Sequence, residues 1–255
     1  MTKRNSISKW HEVTGYAPRM KKSKIIFSFR AKPGVTRERI LKDPKFVRTR
    51  ENGYEFGRAS RKAKQIRQQI ITLTRGTADG NMRNRFLSLI HRIQKRDSIS
   101  LRGERRFQDE NTPQLRGFEF NAYSSLSQRF IEPLITRFDR HTGLATLTIP
   151  PFDPQMAFQA GQGATHIRFI FSAAPLPNTE IRLPLATSVS TDYIPLIGRY
   201  NGTLLAIQLA AALSDVVYGL VGISVYEQIN NTYYPLEKGK YNSLTIVSVD
   251  VPDKG

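Results

Sequence analysis

The chain of 255 residues contains no cysteine, which excludes disulfide-stabilised folds, cysteine-ligated zinc, iron–sulfur clusters and thiol nucleophiles. It has 39 Lys and Arg against 21 Asp and Glu, and its length suits one large domain or two small ones. The N-terminus lacks the apolar stretch of a signal peptide, and no apolar run reaches the roughly 18 residues that span a bilayer. We therefore expect a cytoplasmic protein without a membrane partner.

The excess positive charge lies in the first half of the chain. Residues 1–120 contain 30 Lys and Arg against 11 Asp and Glu, a net charge of +19, whereas residues 121–255 contain 9 against 10, a net charge of −1. Such an asymmetry predicts that the basic half faces a polyanion. The alternative is that these cations only solvate exposed helices.

The N-terminal elements are predicted from local patterns. Residues 1–22 are polar and basic, so we expect a flexible arm that orders only on contact. Residues 24–29 are apolar and β-branched and predict a strand. A helix is expected to begin at Asp43–Pro44, with Asp as N-cap and Pro in the first turn, and to run to Thr72. Glycines within residues 52–57 predict either a kink or a close helix crossing.

A second helix follows, with a basic outer surface. Thr77 or Asp79 is the expected cap, and residues 97–117 read as a connector. The two helices would form an αα-hairpin. One stripe with a period of 3.6 residues comprises Met82, Phe86, Leu89, Ile90 and Ile93, and these side chains should pack against Ile66 and Ile70 of the first helix.

After residue 118 the apolar period changes from 3.6 to 2. Residues 139–143 and 229–232 read as hairpin turns, and residues 204–213 fit either a strand or a buried helix. The predicted strands are 118–123, 134–138, 144–149, 165–173, 181–186, 216–228, 232–236 and 243–251.

This pattern predicts an α+β fold, in which a basic strand and helical hairpin precede an antiparallel β-sandwich of the immunoglobulin or jelly-roll kind. The expected domains are a basic flexible arm (1–22), the strand and helical-hairpin region (23–117) and the β-sandwich (118–255).

No motif points to catalysis. His11, His91, His141 and His166 lack metal-ligand spacing, and the acidic residues of the second half are scattered rather than paired. No phosphate-binding P-loop or GxSxG elbow occurs, and the glycines of residues 161–165 predict only a loop. We therefore predict no catalytic residue, no metal site, no cofactor and no enzymatic activity.

The chain offers clusters of cations instead. On a helix Arg58, Arg61 and Lys62 share one face, with Gln65 next in that row, while Arg61, Lys64, Arg67 and Gln68 form a second row. Such rows match phosphate spacing, and Arg binds phosphate bidentately. The candidate polyanion-binding residues are Arg48, Arg50, Arg58, Arg61, Lys62, Lys64, Arg67, Arg102, Arg105 and Arg106.

The segments RTRENGYEFGRASRKAKQIR (48–67), RGERRF (102–107) and RGFEFN (116–121) are similar to a family of hypothetical proteins from Bacteroidota. The resemblance covers most of residues 24–250, including THIRFIFSA and PLEKGKYNSLTIVSV. It implies two helices, a GFEFN strand and a C-terminal β-domain, and it implies no activity. Residues 1–22 lie outside it.

Together these observations predict a non-enzymatic structural or assembly protein. Its basic half would dock on nucleic acid or another polyanion, and its β-sandwich would make protein contacts, including self-association. The alternative is an accessory protein that binds nucleic acid without sequence preference. Sedimentation with and without nucleic acid separates the two hypotheses.

Overall fold

The computed structural model describes residues 34–176 and 185–252, together with the backbone of two short paired strands, β1 (Arg19–Lys21) and β2 (Lys24–Ile26). Strand β1 belongs to the predicted arm and β2 to the strand expected at 24–29. The rest of the arm and of that strand lies outside the described residues. The chain divides into two compact units, residues 1–53 and residues 54–255.

In the first unit, helix α1 (Arg37–Lys42) precedes a 3₁₀ turn, Pro44–Phe46. The predicted helix start at Asp43–Pro44 is confirmed, because the Asp43 carboxylate accepts a hydrogen bond from Lys45 N at 2.9 Å and Pro44 occupies the first turn. Arg50 donates to Ile40 O and Asp43 O at 2.8 and 3.0 Å. These bonds hold the turn onto the helix that follows.

Helix α2 (Val47–Gln69) begins in the first unit and ends in the second. The helix has no break at residues 52–57, and the kink expected there stays a prediction. The alternative, a close helix crossing that needs a missing side chain, is wrong, since a Cβ at Gly53 or Gly57 would meet no described atom within 4 Å apart from its chain neighbours and its own helix backbone. The helix ends at Gln69, before the expected Thr72, and a single turn, α3 (Ile71–Thr74), follows.

Helix α4 (Met82–Gln94) carries the predicted apolar stripe, and every residue of that stripe is buried. The expected cap is wrong. Asn81 is the N-cap and makes no side-chain cap bond. The carboxylate of Asp79, two residues earlier, accepts a hydrogen bond from Asn81 N at 2.8 Å. As predicted, Ile66 and Ile70 belong to the same core as Phe86 and Ile90.

Antiparallel strands in two sheets make up the rest of the second unit. The strands are β3 (Ile135–Asp139), β4 (Leu144–Ile149), β5 (His166–Leu176), β6 (Thr187–Ser190), β7 (Ile194–Pro195), β8 (Thr203–Gln208), β9 (Val216–Ile229), β10 (Thr232–Pro235) and β11 (Ser243–Asp250). A six-stranded sheet has the order β10-β9-β5-β6, with β11 also paired to β9 and β7 to β5, and a three-stranded sheet has the order β3-β4-β8.

Two of the predicted segments are resolved by this topology. The first part of residues 204–213 is strand rather than helix. Residues 118–123, predicted as a strand, form only an isolated bridge from Glu119 to Thr245.

The six-stranded sheet is covered on both faces. Strand β9 shows this directly, because Tyr218 and Leu220 enter the core shared with the helices, whereas Val221 and Ile223 enter the core shared with the three-stranded sheet. This alternation follows from the two-residue period of a strand. The fold is therefore α+β with an antiparallel β-sandwich, as the sequence predicts, and the helices add a third layer.

A bulge in β11 keeps that strand in register with the helical core. The pairing of β11 with β9 shifts between Ile246 and Ser248, which inserts one extra residue. Leu244 and Ile246 face the helices before the bulge, and Val249 packs against the same core after it. Without the bulge the two-residue period would turn Val249 to the opposite face.

The turn between β10 and β11 requires a glycine. Glu237 and Lys238 have positive φ, and Gly239 follows at +88°. A Cβ on Gly239 would lie 1.8 Å from Gly76 O, so only glycine fits where these two backbones meet. The short helices are α5 (Leu126–Arg129), α6 (Pro154–Ala157) and the 3₁₀ segments Asp109–Leu115 and Leu236–Gly239.

The helices share a core with β5, β9 and β11, so α2 and α4 stabilise the sheet on which they lie. The division expected at residues 117 and 118 stays a prediction. The shared core gives a reason to test it, since residues 118–255 expressed alone would expose Tyr218, Leu220 and Ile246 to water.

Candidate polyanion-binding cleft

An open cleft of about 860 Å³ lies between helix α2 and the loop of residues 97–107. It is named here the basic cleft, because four of its side chains are cations and one is a carboxylate. The lining residues are Arg58, Arg61, Lys62, Gln65, Gln94, Ile99, Ser100, Leu101, Glu104, Arg106 and Phe107.

Helix α2 supplies one wall of the basic cleft through the first row of the sequence analysis. Arg58, Arg61, Lys62 and Gln65 fall at i, i+3, i+4 and i+7, so they project from one face, as their spacing predicts. The neighbouring face of the same helix, about 100° further round its axis, is buried and carries Ala59, Ala63 and Ile66.

The other wall is a loop held by two buried carboxylates. Asp97 accepts hydrogen bonds from the backbone N–H groups of Ile99, Ser100 and Arg106 at 2.9, 3.1 and 2.9 Å. Glu55 on α2 accepts from Gly103 N at 2.8 Å. The expected connector is thus an ordered loop fastened at both ends.

The pKa of Asp97 reflects these bonds. Burial raises the pKa of this carboxyl, but the N–H groups of Arg106, Ser100 and Ile99 and the Ser100 hydroxyl stabilise the charged form more strongly. The pKa therefore lies well below its ordinary value, and Asp97 is ionised at neutral pH.

The guanidinium of Arg58 is hydrogen-bonded to the loop, so it links the two walls of the cleft and is only partly available to a phosphate. Its Nε donates to Arg105 O at 3.0 Å, and another guanidinium nitrogen donates to Gly103 O. Both acceptors belong to the loop, so part of the donor set of Arg58 holds the two walls together. Its charge still contributes to the potential in the cleft.

Lys62 lies between the walls, with its Nζ 5.2 Å from the centre of the Phe107 ring. Burial lowers the pKa of Lys62 to about 8, although the carboxylates of Asp109 and Asp215 favour its charged form. The Lys62 ammonium therefore loses its charge as the pH rises through about 8.

The ten candidate residues do not converge on one site. Arg58, Arg61, Lys62 and Arg106 line the basic cleft. Arg105 lies 4.0 Å from Glu55, and Arg67 donates to its own helix at Ala63 O. The others lie elsewhere: Arg48 pairs with Glu51 and Arg50 caps a turn in the first unit, while Lys64 and Arg102 are exposed outside the lining.

Sequence reasoning missed the apolar part of the cleft. Ile99, Leu101 and Phe107 line it, yet they belong to a segment interpreted as a connector. The signal that could have found them is Asp97 ahead of Ser98 and Ser100, since Asp often accepts bonds from backbone groups two and three residues ahead. Glu55 gave no signal, because its partner Gly103 is remote in sequence.

The histidines of the described residues lie outside the basic cleft. His91 packs edge-on against Phe56 at 5.9 Å, and burial, followed by the Lys95 cation, lowers its pKa. His166 lies 4.9 Å from the Tyr233 ring, and His141 lies in the β3–β4 turn; His11 falls outside the described residues. Within residues 34–176 and 185–252 no three His, Asp or Glu side chains cluster as metal ligands.

None of the helices that the structure describes has the length and apolar content needed to cross a bilayer. Comparison of the chain with protein-family models, curated proteins and solved structures finds no match.

Proposed function

We propose that this protein is a non-enzymatic assembly protein that docks on nucleic acid through the basic cleft and contacts other copies of itself through its β-sandwich. The observation that carries the first part is the concentration of four cations against one carboxylate at one open, ordered cleft. A merely solvated helix surface mixes charges of both signs. Guanidinium groups bind phosphates bidentately, and ammonium groups bind them as point charges.

The basic cleft has the features of a backbone-binding site rather than a base-reading site. Phosphate contacts supply affinity and position without reading sequence. We therefore propose binding that depends steeply on salt and little on sequence. The net charge of +19 in residues 1–120 would add attraction at long range.

Two exposed cations of the cleft, Arg61 and Arg106, allow a test that keeps the link that Arg58 makes between the walls. The variant Arg61→Gln/Arg106→Gln should bind a labelled oligonucleotide more weakly. Its slope of log K against log salt should be shallower by about 0.7 to 0.9 for each phosphate that the variant no longer neutralises. Fluorescence anisotropy over a salt series measures both quantities.

The matched control is Lys64→Gln/Arg92→Gln, which removes the same charge from exposed positions outside the cleft. It should keep most of the affinity. Equal losses of affinity in the two variants would show that net charge acts without a site, and an unchanged cleft variant would refute the proposal for this cleft.

The outer face of the three-stranded sheet supports the second part of the proposal. Ile135, Thr148 and Leu204 form one cross-strand row on this face, and the two aliphatic side chains are 50% and 61% exposed. Among the residues described for β3, β4 and β8, the charged side chains at outward positions are Arg137 and Asp139. Their opposite charges give this face a net charge of zero. Because each copy carries a net charge of +18, two copies repel least across such a face.

Light scattering without nucleic acid tests this self-association. The wild-type chain should show a mass that rises with concentration, and Leu204→Lys should abolish the rise. Ile131→Lys, at an aliphatic residue that is 65% exposed outside this face, should not. A wild-type monomer at every concentration would leave the accessory role, nucleic-acid binding by single copies, as the better description.

A further inference from the structure

The mouth of the basic cleft combines cations with exposed aliphatic side chains. Ile99 is 84% exposed and Leu101 is 76% exposed, and both border the opening that Arg61 and Arg106 also line. Exposed aliphatic groups add no affinity for a phosphate backbone alone. They gain affinity when a ligand offers apolar surface beside its charge.

The fold holds these two side chains outward. Asp97 accepts from Ile99 N and from Arg106 N, so one carboxylate fixes both ends of the segment that carries them. Gly103, between them, donates to the buried Glu55. The bonds to Asp97 and Glu55 fix the backbone of this segment, and in this conformation Ile99 and Leu101 are exposed, so a ligand meets them already in place.

Single strands and duplexes present different surfaces to the basic cleft. In a duplex the bases are paired and stacked, so base edges rather than base faces are exposed in its grooves. A single strand offers phosphates together with unpaired base faces. The basic cleft, which carries cations beside the exposed Ile99 and Leu101, can contact both.

We infer that the basic cleft binds single-stranded nucleic acid in preference to a duplex, with Ile99 and Leu101 contacting unpaired bases while Arg61, Lys62 and Arg106 contact phosphates. This inference rests on the nucleic-acid binding proposed above and names the form of nucleic acid that the same site takes. Contact between these side chains and the faces of unpaired bases does not depend on the sequence, because every base has a π-face.

The test compares a labelled single strand with a duplex of the same length and strand sequence. Wild type should bind the single strand about tenfold more tightly. The variant Ile99→Ser/Leu101→Ser should lose about tenfold of single-strand affinity with an unchanged salt slope, because it removes no charge, and should keep its duplex affinity. The matched control, Met156→Ser/Ile197→Ser, alters two exposed apolar residues elsewhere and should behave as wild type.

The outcomes separate the two proposals. Equal wild-type affinities for single strand and duplex, or equal losses of both affinities in the serine variant, would overturn the inference and leave nucleic-acid binding standing. A serine variant with unchanged single-strand affinity but weaker binding to anionic phospholipid vesicles would assign Ile99 and Leu101 to a lipid surface and also overturn it. Absence of binding to either nucleic acid would overturn the proposed function itself.

Discussion

Replacing Asp97 with Asn changes the group that shapes one wall of the basic cleft while keeping its size. In the wild type one carboxylate oxygen accepts from Ile99 N and Ser100 N, and the other accepts from Arg106 N at 2.9 Å. If the side-chain oxygen of the variant Asp97→Asn still accepts from Ile99 N and Ser100 N, its NH₂ group takes the place of the second carboxylate oxygen and faces the Arg106 N–H. Two donors then face each other at a position that is only 3% exposed.

The magnitude follows from these bonds. One hydrogen bond to a charged acceptor is removed, at a cost of about 1.5–3 kcal/mol, and the two remaining bonds lose their charge assistance. Removing a buried charge relieves its desolvation and offsets part of this cost. We expect the free energy of unfolding to fall by about 2–3 kcal/mol in Asp97→Asn. Urea unfolding followed by circular dichroism measures the difference.

The pH dependence gives a second check. Because the folded-state pKa of Asp97 lies below the ordinary value of 3.8, its stabilisation is complete above that pH and is lost as the pH falls further. The difference between wild type and Asp97→Asn should be constant from about pH 5 to 8 and should shrink in acid. Glu104→Gln, on the exposed side of the same loop, should change stability by less than about 0.5 kcal/mol. A variant as stable as wild type, or a difference that persists undiminished in acid, would refute the reasoning.

Three further predictions concern the core, a turn and the cleft. Phe86→Ala should lower the free energy of unfolding by about 3–5 kcal/mol in a denaturant titration, since the ring is fully buried, and a loss below about 1 kcal/mol would contradict its place in the core. Gly239→Ala should prevent a stable fold, because its Cβ would collide with Gly76 O. Gly198→Ala, also at positive φ but with nothing described within 4 Å, should lower the melting temperature only slightly, and equal effects would contradict the collision. Lys62 should make nucleic-acid affinity fall as the pH rises through about 8, because its folded-state pKa lies there and the neutral amine no longer attracts phosphate. Lys62→Gln should flatten that part of the pH profile, and an unflattened profile would assign the titration to another group.

Local patterns in the sequence predict local structure here. The stripe of α4 and the turn at Asp139–Gly143 involve residues close in sequence, so spacing and turn chemistry suffice to predict them. The row of Arg58, Arg61 and Lys62 is predictable for the same reason.

The remaining features depend on partners that are distant in sequence. Arg58 links the two walls of the cleft only because the carbonyl groups of Gly103 and Arg105, about 45 residues further along the chain, lie next to it. Tyr218 is buried in the core shared with the helices, and its hydroxyl donates at 3.2 Å to Gln69 on α2, which is 149 residues away in sequence. The spacing of apolar or charged residues along the chain carries no information about pairs so far apart in sequence. For this reason the sequence did not predict that the helices pack on the sheet, nor that apolar residues line the cleft.

Strand β9 has a consequence for how the chain reaches its fold during synthesis. It contributes Tyr218 to one core and Ile223 to the other, and β11 beside it follows at residues 243–250. Neither core can form completely until β9 and β11 have left the ribosome. Until then the apolar faces of the helices and of the earlier strands have no partner strand to cover them. For most of its translation the nascent chain therefore presents unburied apolar faces, and a truncation that removes only β11 would leave the helical layer unsealed in an otherwise nearly complete protein.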